Sequence, residues 1–189
     1  MLRRALLPIL ATSLILLAVG VTAGDNRHRP VRAFAELIPI NEVPSISSTA
    51  HGRFKATIDR DNQTISYELS YEGLEDVALQ AHIHLGQRHT TGGVSVFLCG
   101  NPPNVPPATF PQPPACPLSP ATITGTLTAA NIVGPAAQGI APSQGGVNEF
   151  DELVDAILSG DTYANVHSVK FPGGEIRGQV RTDERHGRH

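Results

Sequence analysis

"GRFKATIDRDNQTISYELSYEGL", residues 52–74, decides the fold class. Phe54, Ala56 and Ile58 alternate with polar residues in its first half, and Ile65, Tyr67, Leu69 and Tyr71 do so in its second. Successive strand side chains point to opposite faces, so this period of two marks two half-buried β-strands. Between them "DRDNQ" is a polar turn. The stretch therefore predicts an antiparallel hairpin with one apolar face to bury.

The same pattern recurs outward along the chain. "VRAFAELIP" before it is a first strand. "ALQAHIHLG" and "GVSVFLC" follow, joined by the short turn "QRHTTG", with Val94, Val96 and Leu98 expected on one face. "TITGTLT" alternates again. "TYANVHSVKF" and "GEIRGQVR" end the domain, joined by Pro172, Gly173 and Gly174. One segment keeps a different period: Phe150, Leu153, Val154 and Ile157 recur at helical spacing, with Asn148 as N-cap, acids in the first turn and Gly160 at the end. About eight short strands and one crossover helix predict an all-β fold, an antiparallel β-sandwich or flattened barrel.

The ends have other roles. Arg3 and Arg4 precede the apolar run "ALLPILATSLILLAVGVTAG", and Val21 and Ala23 fit a small-x-small cleavage pattern. This predicts a secretory signal peptide over residues 1–23, removed after Ala23. Pro8 interrupts the run, which argues against an uncleaved anchor, so no stable membrane insertion is expected afterwards. Residues 24–30 are expected to be a flexible start and residues 183–189 a flexible tail, with one domain over 31–182. The chain carries a net charge of −3 before the leader's arginines are lost. It has no Lys/Arg cluster, so nucleic acid is not an expected partner.

Cys99 and Cys116 flank "GNPPNVPPATFPQPPA", within a proline-rich segment over residues 100–120. In an exported chain an even pair is expected to be bridged. Thiolate ligation is the alternative, but the spacing fits no zinc pattern. The bridge would pin the base of a loop too rich in proline for regular structure. Asn62-Gln63-Thr64 is a glycosylation sequon in a turn, meaningful in a eukaryotic host.

In sequence order, "FAELIPINEVPSISSTAHGRF", "ISYELSYEGL", "AHIHLG", "GGVSVFL", "ITGTLTAANI" and "FDELVDAILSGDTYANVHSVKFPGGEIRGQV" resemble the CHRD (chordin) domain family over nearly the whole mature chain. The resemblance implies an immunoglobulin-like β-barrel. It also implies an exported single-domain form, without implying an activity. The proline-rich segment between the cysteines looks like an insertion relative to the family.

Within those motifs lie three histidines. His82 and His84 share one face of their strand, opposite Ala81, Ile83 and Leu85. Asn165 and His167 share a face of theirs, opposite Ala164, Val166 and Ser168. If the two strands are neighbours, about 4.8 Å apart, three imidazoles converge on one outer face. Three neutral imidazoles suit copper or zinc. The arrangement is similar to the histidine set of copper/zinc superoxide dismutases, without their bridging histidine and zinc loop, so redox activity is a remote reading. A cross-strand hydrogen-bond network of Tyr, Asn and His is the other reading, since a neutral imidazole offers one donor and one acceptor. His89 in the following turn is a fourth ligand or a solvated turn residue. His28, His51, His186 and His189 are expected at the surface. Glu175 and Arg177 are expected to form a cross-strand pair. No nucleophile elbow, P-loop or dinucleotide fingerprint occurs. The expectation is an exported, non-enzymatic module that binds an extracellular protein or matrix component, with Phe110 as its apolar anchor, or else a copper or zinc protein built on His82, His84 and His167.

Overall fold

The structure is a computed structural model, and it describes residues 29–142 and 149–183. The expected leader (1–23), most of the expected N-terminal segment, the N-cap Asn148 and residues 184–189 lie outside the described residues. So do His28, His186 and His189.

Among the described residues the chain forms nine strands and one α-helix: β1 (Val31–Leu37), β2 (His51–Asp59), β3 (Thr64–Glu72), β4 (Ala78–Leu85), β5 (Gly93–Gly100), β6 (Ala121–Leu127), α1 (Glu149–Ser159), β7 (Thr162–Ser168), β8 (Ile176–Gln179) and β9 (Arg181–Thr182). They build two antiparallel sheets, a five-stranded one in the order β6-β3-β2-β1-β9 and a four-stranded one in the order β5-β4-β7-β8. The fold is an all-β sandwich, as the alternation predicts.

The hairpin read from residues 52–74 is β2–β3, with Phe54 opposite Leu69, Ala56 opposite Tyr67 and Ile58 opposite Ile65. Those side chains are buried and the intervening ones face water. From the second sheet Ala81, Ile83, Val96, Leu98, Val166 and Ile176 meet them in a common core. Helix α1 buries Phe150, Leu153, Val154 and Ile157, the stripe its spacing predicts, and packs against β7 and β9. Gly160 stops it at φ +73°, a left-handed conformation that costs a residue with a Cβ.

Three details differ from expectation. Val94 does not share a face with Val96. Register shifts between Ala81 and His82 and between Ile83 and His84 set Val94 opposite His84, while Val96 stays opposite Ile83 in the core. These are β-bulges, which re-aim side chains and leave no trace in a simple alternation count. The last predicted strand is two. β8 closes the four-stranded sheet, Val180 is buried at the crossing, and β9 pairs with β1 in the other sheet. Together with the backbone bridge between Ile38 and Arg177, this crossing ties the two sheets along one side. Finally, Glu175 and Arg177 do not pair. Glu175 accepts from Ser48 Oγ at 2.8 Å and from the Glu75 N–H at 3.0 Å. Arg177 donates to the Gln87 and Thr90 carbonyls.

The disulfide Cys99–Cys116 is present and closes the proline segment onto the β5–β6 side. Tyr67 Oη donates to the Leu98 carbonyl and Tyr71 Oη to the Pro117 carbonyl, both at 2.6 Å. Asn101 holds the base, donating to Ala78 and Cys116 carbonyls and accepting from the Cys116 N–H. The loop is thus an ordered cover. Phe110 is half-buried in it and is not an exposed anchor; the exposed large apolar side chains include Leu118 and Ile40 instead. Asn62 lies in the exposed β2–β3 turn, held by Asp59.

Candidate metal centre

β4 and β7 are neighbours. His82 stands opposite Asn165, His84 opposite Tyr163 and Gln80 opposite His167. The three histidines therefore share the face of the second sheet that looks away from the core, as their spacing predicts. That face is not wet. His82, His84 and His167 are 2%, 8% and 6% exposed. Three connections fold over them: the segment after β1 that carries Glu42, the β4–β5 turn and the β7–β8 turn. Sequence alternation separates the two faces of a sheet but does not report what lies on top of the second one.

The ring contacts fix the protonation pattern. His84 Nδ1 lies 2.9 Å from the Gly92 carbonyl oxygen, and His167 Nδ1 lies 2.9 Å from that of Pro172. A carbonyl only accepts, so both rings carry their proton on Nδ1 and present a lone pair at Nε2. His82 Nδ1 is 3.3 Å from His167 Nε2 and so donates to it. His82 and His84 are left with buried Nε2 atoms that have no protein partner, and the neighbouring Asn165 Oδ1 has none either. The site holds more acceptors than donors. One nitrogen from each ring lies within 4.8 Å of the others, the only such group of three His, Cys, Asp or Glu side chains among the described residues.

Burial keeps the cluster neutral. It pushes His84 down to about 4, with the nearby Arg177 charge adding to the effect and the Gly92 bond opposing it. His82 is held well below the usual imidazole range by burial, then by His167 and His84. His167 is lowered by burial against its bond to Pro172. Neutral imidazole is the ligating form.

Around the rings sit Tyr163, Arg177, Phe97 and Glu42. Tyr163 stacks on His84 with centroids 4.7 Å apart and planes 6° from parallel. The Arg177 guanidinium lies 3.4 Å from the Tyr163 ring centre. Because β4 and β8 flank β7, the imidazole and the guanidinium sandwich the phenol. Phe97 meets His82 edge-on at 4.4 Å. Glu42 is 6% exposed, and burial raises its carboxyl to about 7 against the Val43 N–H and the Arg177 charge. Tyr163 was legible from the same alternation that placed Asn165 and His167. Glu42 was not, because it lies in a loop with no periodicity.

The remaining histidines stay apart. His89 is an exposed turn residue at φ +64° and does not join the group. His51 is exposed and pairs with Glu72.

The family model for the CHRD domain matches residues 33–180, and the chain belongs to that family. No curated protein and no solved structure matches it. The matched span contains the whole histidine cluster, the proline segment and the disulfide. No helix among the described residues is long and apolar enough to cross a membrane.

Proposed function

We propose that this CHRD domain is an exported metal-binding protein whose ion, copper or zinc, is held by His82, His84 and His167. The observation that carries this reading is the convergence of the three rings, two of them with their second nitrogen already engaged by a backbone carbonyl. His84 and His167 each donate Nδ1–H to a backbone carbonyl, which leaves Nε2 as the lone-pair nitrogen of each ring. That is the usual outer-shell arrangement of a metal-binding histidine. The His82 Nδ1 to His167 Nε2 distance of 3.3 Å also suits two nitrogens bound to one ion. With metal–nitrogen bonds of about 2.0–2.1 Å they must lie about 3.3–3.6 Å apart. Ligation through His82 Nδ1 asks only that its proton move to Nε2. The disulfide and the apolar leader support export.

Calorimetric titration of the folded protein with copper and zinc, beside a His82→Ala, His84→Ala double variant, tests the reading. One ion per chain, lost in the variant, is expected. No binding by the folded wild type overturns it. The histidines would then be strand-pairing residues, and the domain an extracellular interaction module.

A further inference from the structure

Resting on that reading, we propose that the ion selected by the site is monovalent copper, Cu(I), in preference to zinc or Cu(II). The first ground is charge. The three rings are almost fully buried, and the Nε2 atoms of His82 and His84 are screened from solvent. An ion placed among them gives up its water. The cost of that transfer rises with the square of the charge, so a divalent ion pays about four times what a monovalent one does in the same cavity. The convergent group returns only neutral donors, for no carboxylate belongs to it.

The fixed charges nearby do not compensate. The Arg177 guanidinium sits behind Tyr163, which is stacked on His84, and it repels a divalent ion twice as strongly as a monovalent one. Glu42, a buried acid near the cluster, is not one of the converging groups. Among the described residues no carboxylate converges with the three rings to meet the extra charge of Zn(II) or Cu(II).

The second ground is coordination number. Structural zinc takes four ligands, and Cu(II) favours a tetragonal set of nitrogen and oxygen donors. The cluster offers three nitrogens from two adjacent strands. Its ring centroids form a triangle with sides of 5.2, 5.0 and 6.4 Å. A filled-shell ion of single charge is satisfied by three nitrogen donors, because a fourth adds little attraction to offset the crowding. Cu(I) combines that preference with affinity for imidazole.

The experiment is a pair of competition titrations on the folded, oxidised protein. Cu(I) is supplied anaerobically with ascorbate, which leaves the disulfide intact, in competition with bicinchoninate. Zn(II) and Cu(II) are titrated separately against chromophoric chelators. One Cu(I) per chain is expected, bound at least about 100-fold more tightly than Zn(II). X-ray absorption is expected to report three nitrogen neighbours. His167→Ala is expected to lose the ion, and His167→Gln serves if the alanine variant does not fold. Zn(II) or Cu(II) bound as tightly as Cu(I), or a four-coordinate copper, overturns the selectivity and leaves the metal reading standing. No ion retained from any of the three overturns both.

Discussion

His84 donates its Nδ1–H to the carbonyl of Gly92, 2.9 Å away across the turn that joins β4 to β5. A ligand residue and the turn that follows it are thereby one unit. The same turn is held from a third strand: Arg177 on β8 donates to the Gln87 carbonyl at 3.1 Å and the Thr90 carbonyl at 2.7 Å. Tyr163, between Arg177 and His84, touches the Gly92 N–H through its hydroxyl at 3.2 Å. The orientation of His84 is thus set by residues from β7 and β8 as well as by its own strand.

Arg177 is accordingly expected to act as a positioning residue for the cluster. Arg177→Gln removes both charge-assisted hydrogen bonds and the stacking on Tyr163. It is expected to destabilise the fold by about 3 kcal/mol and to weaken metal binding by about tenfold or more. Arg177→Lys restores the charge but not the planar fork, so it is expected to recover little of either. Urea unfolding read beside metal titration checks this. A purely structural role would lower stability and leave the affinity of the folded protein unchanged.

Acid is expected to destabilise the metal-free protein. The sign follows from proton uptake. His84 titrates near 6.5 when unfolded and about 4 when folded, and His82 and His167 move in the same direction. Between those values the unfolded chain binds more protons, so the neutral cluster's contribution is complete above about 6.5 and falls as pH drops toward 4. For His84 alone the loss is about 3 kcal/mol. Glu42 runs the other way. Raised from 4.5 to about 7, it favours the folded state at low pH and loses that contribution as pH rises through 7. Glu42→Gln is therefore expected to steepen the acid loss. Denaturant melts of both proteins from pH 4 to 7.5 check it; parallel curves would contradict it.

Gly178 packs closely against β1 on the closed side. A Cβ there would lie 2.2 Å from the Glu36 carbonyl oxygen and 3.2 Å from Ala35 Cβ. The obstacle is the backbone of β1, which is paired along its length with β2. Gly178→Ala is expected to cost about 2 kcal/mol or more, because neither strand can give way cheaply. A thermal melt within 1–2 °C of wild type would show that the two sheets have more freedom than this packing implies.

Much of the architecture is written in local pattern. The alternation of Phe54, Ala56 and Ile58 and of Ile65, Tyr67, Leu69 and Tyr71 is enough to predict a hairpin with one buried face. The spacing of Phe150, Leu153, Val154 and Ile157 is enough to predict the helix. His82 and His84 share a face by the same rule. What local pattern cannot supply is anything that depends on a strand's neighbours or on the loops above it. Only the pairing of β4 with β7 brings His167 to the other two. Only the folded loops bury that face, align the Gly92 and Pro172 carbonyls with ring nitrogens, and bring Glu42 in from a segment with no periodicity of its own. Arg177 does not pair with Glu175 but donates to the Gln87 and Thr90 carbonyls and lies over the Tyr163 ring, contacts that its own strand's alternation does not announce. Periodicity records which side of its own strand a residue occupies; the His82–His167 contact, 85 positions apart, and the cover over the rings are decided by tertiary packing, which local pattern does not contain.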